Sequence, residues 1–274
     1  MIQAMKSDPF ATIYEAMHLA ASSALKMKRK SSAAYGFTLI ELFVVIAVIG
    51  ILAALLLPAM SRAKASTKRA TCLNHQRQIA LGVRMYADDT DDVGPARISE
   101  KKSLDGWTAY KQLVKSYVGQ NTASSPDDKL FACPSDTYHY DFNSASPTAY
   151  AYMGKPVHRQ QWSDYSSYGF NGGNTRTNSE TGAPFPGIAG RKLSSIREPS
   201  RTVLLAEIPA SYCFSWHEPQ NPRLPHYFNN ARNMAAFVDG HVSYIRIFYD
   251  PDQGQHEAWQ YDPPTGYDYK WSGE

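Results

Sequence analysis

The chain has 274 residues, with 28 Lys and Arg against 25 Asp and Glu, a formal charge of +3. Five of the basic residues (Lys6, Lys26, Lys28, Arg29, Lys30) and two of the acids (Asp8, Glu15) precede Phe37. The chain from Phe37 onward is formally neutral, which argues against a polyanion-binding role and leaves no nucleic-acid partner expected. The length allows a leader, one membrane helix and one sizeable domain.

In chain order, Ile2 to Leu25 is at most a weakly amphipathic helix of no evident function. Met27 opens a short basic stretch, Met27-Lys28-Arg29-Lys30-Ser31, and is read as the true start of a leader running to Gly36. Leu39 to Leu57 then gives 19 residues, all apolar or small except Glu41. At about 1.5 Å per residue this matches the roughly 30 Å of a bilayer's hydrocarbon core. A buried helix of a soluble domain would be amphipathic, whereas this one is apolar all round. A secretory signal peptide shares the basic-then-apolar order. Its small-residue cleavage pattern is obscured here by Leu55, Leu56, Leu57 and Pro58, and the run exceeds the usual h-region. Glu41 is the anomaly, because a carboxylate near the start of a membrane helix costs roughly a few kcal/mol and calls for a partner.

Gly36-Phe37-Thr38-Leu39-Ile40-Glu41, behind a basic leader and opening an apolar span, resembles the processing site of type IV prepilins and type II secretion pseudopilins. The resemblance covers Lys26 to Ala87 strongly and the rest in fragments. It implies that a membrane-embedded prepilin peptidase cuts between Gly36 and Phe37 and methylates the new Phe37 amine. Glu41 becomes the fifth residue of the mature chain, placed to meet the terminal amine of a neighbouring subunit. Such a pair fixes register more than it adds stability. Pro58 falls where the family often carries a helix-interrupting proline, which removes a backbone hydrogen bond and permits a kink; a plain helix end is the rival reading. Arg62, Lys64, Lys68 and Arg69 follow the helix as closely as the leader precedes it, so the positive-inside count is a draw. The cleavage motif decides orientation: a single pass through the inner membrane, with the C-terminal domain periplasmic or in a cell-surface filament.

Three cysteines, Cys72, Cys133 and Cys213, allow one intramolecular bond, and their connectivity does not follow from sequence. The resemblance favours Cys72 with Cys133; all three being free is the alternative. No CxxC or other metal-ligand spacing appears, so no zinc site is expected. From Ser61 to Asp88, Ala65, Cys72, Ile79, Val83 and Tyr86 recur at helical spacing, with Arg69, Gln76 and Arg77 largely between them. The membrane helix is expected to continue outward to about 50 residues, or roughly 75 Å. Asp88-Asp89-Thr90-Asp91-Asp92-Val93-Gly94-Pro95 ends it. Calcium is a rival reading of these acids, but their spacing does not match an EF-hand, so a solvated turn is favoured and no cofactor is expected.

Trp107 to Val118 reads as a short helix, and Tyr165 to Gly173 as a strand entering a turn. Phe131-Ala132-Cys133-Pro134-Ser135-Asp136 resembles a C-P-S-D element of large planctomycete- and verrucomicrobia-type pseudopilin-like proteins. The Tyr-rich middle suits sugar or protein contact, or ordinary half-buried sheet. Thr202 to Glu207, between Pro199 and Pro209, is a buried strand. Asn233 to Val238, Asp239-Gly240, then His241 to Phe248 is a hairpin with a two-residue turn. Phe237-Val238-Asp239-Gly240-His241-Val242 resembles the same group's Asp-Gly signature, in which a histidine precedes Asp-Gly by nine intervening residues. Here His226 precedes it by twelve, a departure that leaves no role to carry over. The tail from Asp250 reads as an irregular cover over the sheet edge.

His217, His226, His241, Asp239 and Glu207 are of catalytic or metal-ligand type, but no G-x-S-x-G, H-E-x-x-H or phosphate loop fixes their geometry, so no enzyme is expected. The expected fold is α+β and pilin-like: a long N-terminal α-helix, membrane-spanning then amphipathic, packed on a C-terminal antiparallel β-sheet. The divisions are leader 1–36, membrane and assembly helix 37–60, amphipathic continuation 61–92 and exported β-rich domain 93–274. The resemblance implies a structural subunit of a type II secretion pseudopilus or type IV pilus-like filament. Its partners are prepilin peptidase, itself or other pseudopilins, and an inner-membrane assembly platform. The alternative is a membrane-tethered exported domain that binds glycan or another exported protein.

Overall fold

The computed structural model describes residues 37–96, 107–136, 156–219, 228–250 and 257–274. Met27, Gly36 and His226 lie outside the described residues. The protein is α+β, with one long N-terminal helix followed by a four-stranded antiparallel sheet in a pilin-like layout. It divides into two compact units, Met1–Leu57 and Pro58–Glu274.

Helix α1 spans Leu39–Asp88. Within the first unit, its residues from Leu39 to Leu57 all have exposed side chains. It is the one helix among the described residues long and apolar enough to cross a membrane. Pro58 sits inside α1, so the helix does not end there. Its ring nitrogen has no hydrogen to offer the Ala54 carbonyl, which is the local weakness a proline introduces.

In the second unit, α1 buries Cys72, Gln76, Ile79, Ala80, Gly82, Val83 and Ala87. The stripe differs from the expected one: Tyr86 is only half-buried, and the small residues Ala80, Gly82 and Ala87 join the buried face. Ala65 is exposed and Gln76 is fully buried. The reason for Gln76 lies in the sheet. Strands β1 (Tyr168–Phe170), β2 (Val203–Glu207), β3 (Ala231–Phe237) and β4 (Val242–Ile247) pair antiparallel in that order. The β2–β3 ladder stops at Ala206–Ala235, leaving the Met234 amide and carbonyl without strand partners on that side. Gln76 Nε2 donates to the Met234 carbonyl at 2.9 Å, and the Glu207 carboxylate accepts the Met234 N–H at 2.9 Å. A buried backbone pair needs such partners wherever a ladder ends.

The β3–β4 hairpin closes through three residues, Val238 to Gly240, instead of the expected two. The Phe237 amide donates to the His241 carbonyl at 2.9 Å, and the Gly240 amide donates back to the Phe237 carbonyl at 2.9 Å. Gly240 alone of the turn has positive φ, at 95°. A turn followed by a glycine bulge explains this, since only one residue then needs the left-handed region.

Both sheet faces are covered. On one lie Ile79, Val83, Leu204, Met234 and Ala236 with α1. On the other, Val203, Ala235, Phe237, Ile245 and Ile247 pack with Trp107, Trp259, Tyr269 and Trp271. The tail therefore builds a second core as well as bordering the sheet, and Lys270 forms a parallel bridge with Thr202. The expected helix near Trp107 is α2 (Tyr110–Val114), continued as a 3-10 turn over Lys115–Val118. A short α3 (Ile208–Ser211) follows β2 and carries Pro209 in its first turn, where a missing N–H is harmless.

Candidate functional site

Two arrangements carry chemistry: the mouth of α1 and a buried cluster beneath the sheet. At the mouth, Thr38 is the N-cap, its carbonyl accepting the Leu42 amide at 3.2 Å. The Thr38 amide and hydroxyl both donate to Glu41 Oε2, at 2.8 and 2.7 Å, while the Glu41 amide donates to Thr38 Oγ1 at 3.3 Å. This is a capping box, a reciprocal exchange that satisfies amides at a helix start. Phe37 stands before it, 72% exposed. From Phe37 to Leu57, Glu41 is the only charged residue, so this segment presents apolar surface on all sides with one carboxylate near its beginning.

Beneath the sheet, Cys72 on α1 and Cys133 form a disulfide, with Cα atoms 5.4 Å apart. Two further groups converge on it. Glu207 ends β2 and His217 lies in the segment after α3. Glu207 Oε1 is 2.8 Å from His217 Nε2 and 3.3 Å from Cys133 Sγ. The Glu207 and His217 side chains are 0% and 1% exposed. Among the described residues this is the one set of three or more Cys, His, Asp or Glu whose ligand atoms converge. Its members come from four separated segments, so no spacing rule finds it. Nearby, burial lowers the basicity of His75, partly offset by the Ala132 carbonyl 3.2 Å from its ring. Burial pushes the Tyr168 hydroxyl far up, and the Glu207 charge adds to the shift.

The C-P-S-D element has a structural explanation. Asp136 accepts the amides of Val157 and His158, each at 2.9 Å, and the Ser167 hydroxyl at 2.7 Å. It thus ties the loop carrying Cys133 to the entry of β1. Asp239 and His241 are apart from the cluster: they pair at 2.6 Å on the exposed hairpin. The acids after α1 are engaged one at a time, Asp89 by the Tyr117 hydroxyl and Asp92 by the Ser194 amide, at 2.9 Å each. A separate cavity of about 150 Å³ is lined by aromatic side chains, among them Trp107, Trp162, Tyr212 and Trp259, with Arg176 beside them.

No family model, no curated protein and no solved structure matches this chain.

The disulfide closes a span of 61 residues between α1 and the C-P-S-D loop. The double variant Cys72→Ala/Cys133→Ala is expected to lose about 2–4 kcal/mol of stability, the usual worth of such a crosslink. Chemical unfolding beside the parent chain measures this, and a loss under about 1 kcal/mol would show that packing alone holds the two segments.

Proposed function

We propose that the chain is a structural subunit of a type II secretion pseudopilus or type IV pilus-like filament, matured by prepilin peptidase and assembled through its N-terminal helix. The observation that carries this reading is the segment Leu39–Leu57, exposed on every side and apolar except for Glu41. A monomer in water does not keep such a surface; a lipid bilayer or a bundle of like helices covers it. Glu41 then sits where the resemblance puts the carboxylate that meets a neighbour's methylated amine, and Phe37 is that amine's residue. Inner-membrane insertion, with the C-terminal unit in the periplasm or on a filament, belongs to the same proposal.

The test is the intact mass and N-terminal sequence of the protein recovered from native membranes. An N-methylated Phe37 terminus is the expected result. A terminus ahead of Gly36, or one beyond Pro58, would mean an ordinary anchor or a secreted domain and would defeat the reading.

A second reading, a membrane-tethered domain that binds glycan, is favoured by the tryptophan-lined cavity, because aromatic faces give sugars contact area at low entropy cost. Retention of the detergent-solubilised chain on a polysaccharide panel, abolished by Trp162→Ala, would establish it.

A further inference from the structure

A disulfide needs neither Glu207 nor His217, yet both aim their polar atoms at it. All four ligand atoms, one each from Cys72, Cys133, Glu207 and His217, lie within 4.8 Å of one another. His217 Nε2 is 3.8 Å from Cys133 Sγ and 2.8 Å from Glu207 Oε1. Donors on a tetrahedral zinc ion, bound at about 2.0–2.3 Å, stand roughly 3.2–3.8 Å apart. Two of the separations already match, Cys133 Sγ to Glu207 Oε1 at 3.3 Å and to His217 Nε2 at 3.8 Å, while Glu207 and His217 must part by a few tenths of an ångström and the two sulfurs must separate. Its surroundings also suit a metal. Glu207 Oε2 accepts the Met234 amide at 2.9 Å, and the Ser135 amide points to Cys133 Sγ at 3.4 Å. Hydrogen bonds of this kind orient metal-bound carboxylates and thiolates. As a plain ion pair, Glu207–His217 would have to offset the cost of burying charge; as half of a ligand set it has a reason to be buried.

We propose that when Cys72 and Cys133 are reduced, these two cysteines with Glu207 and His217 bind one Zn²⁺ in place of the disulfide. A dithiol reductant delivers two electrons and two protons to the S–S bond and is itself oxidised to a disulfide, leaving two thiols. Zn²⁺ then takes both sulfurs as thiolates, and two protons leave to solvent. Glu207 binds as the carboxylate and His217 through the Nε2 lone pair, its other ring nitrogen keeping the proton. Two thiolates and one carboxylate leave the occupied site with one net negative charge. Thiolate and imidazole ligands select zinc over calcium or magnesium. Cys213 takes no part: it is buried elsewhere, its thiol 3.4 Å from the Phe248 carbonyl. The zinc site does not depend on the filament reading.

The experiment uses the full chain in detergent micelles, reduced with a phosphine and compared with the oxidised chain. Zinc content is measured after gel filtration, and Co²⁺ serves as the spectroscopic probe. The expected result is one zinc per reduced chain, none per oxidised chain, and a tetrahedral cobalt spectrum with thiolate-to-cobalt charge transfer. Cys213→Ser leaves all of this unchanged. His217→Ala lowers zinc affinity at least about tenfold, while its oxidised form keeps the parent's near-UV circular dichroism. His217→Cys retains cobalt and raises the charge-transfer band by about half, three thiolates replacing two. Zinc absent from the reduced chain, zinc retained equally by the oxidised chain, an octahedral cobalt spectrum, or an unchanged band in His217→Cys would each overturn the proposal. So would a reduced chain that loses its near-UV signal and does not regain it with zinc.

Discussion

Asp128→Ala is expected to destabilise the C-terminal unit by about 3–5 kcal/mol, the cost of leaving one half of a buried ion pair behind. Its partner Lys111 sits on α2 with a side chain 0% exposed, 2.8 Å from Asp128, whose own side chain is 12% exposed. The ammonium also donates to the carbonyls of Asp164 and Tyr165, at 2.9 and 3.3 Å, and lies 4.8 Å from the Phe131 ring centre. Without Asp128 the positive charge stays enclosed by carbonyls and an aromatic face. Lys111→Met removes that charge, so the double variant should lose less than the sum of the single losses, by about 1–3 kcal/mol. Urea unfolding followed by tryptophan fluorescence reads this directly, because all five tryptophans, from Trp107 to Trp271, lie in this unit. Strict additivity would mean that the pair behaves like a surface contact.

The pH dependence of the same variant has a definite sign. Burial works to raise the Asp128 carboxyl, but the Lys111 ammonium and the Ser125 amide outweigh it and hold the group below the ordinary carboxylate range. A carboxyl depressed in the fold contributes stability that is complete above its unfolded value and disappears as pH falls through its folded value. The gap between the parent and Asp128→Ala is therefore widest at neutral pH and closes in acid. Lys111 is depressed chiefly by burial, with Asp128 pulling it back up. Its protonation favours the unfolded chain, a bias that lifts only as pH rises from the folded value through the ordinary lysine range.

Features decided by neighbours along the chain could be read in the sequence. The apolar run, broken only by Glu41, marks the first part of α1, and Asp239-Gly240 marks the β3–β4 hairpin. The turn length was not legible, because Asp-Gly suits both a two-residue turn and a three-residue turn with a glycine bulge. Gln76 looked like a solvent position on a helix pattern. It is buried because β2 leaves β3 after Ala206 and the Met234 carbonyl needs a donor, a demand created in another element. The Cys72, Cys133, Glu207 and His217 cluster escapes any spacing rule for the same reason, since tertiary packing alone unites its four segments. The Glu41 capping box is a different case: Thr38-Leu39-Ile40-Glu41 carries the Thr-x-x-Glu signature, while a carboxylate in an apolar span calls for a partner and the prepilin resemblance implies one in another subunit.

Those two roles of Glu41 separate in one substitution. Glutamine at this position keeps a capping box, because its amide oxygen still accepts the Thr38 amide; it removes only the charge. If the carboxylate pairs with a neighbour's terminal amine in a low-dielectric bundle, Glu41→Gln forfeits about 3–5 kcal/mol per contact by stranding that amine. Filament or pseudopilus yield then falls roughly a hundredfold or more, while the C-terminal unit unfolds at the parent's urea concentration. Glu41→Ala removes cap and charge together and should assemble no better than Glu41→Gln. Thr38→Val weakens the cap alone, at about 1 kcal/mol, and should leave assembly within about tenfold of the parent. The measurement is the amount of sheared or cross-linked filament per membrane-inserted chain for each variant. Assembly that tracks the cap, with Glu41→Gln at parental yield and Thr38→Val reduced, would assign Glu41 to its own helix and remove the main physical support for intersubunit pairing.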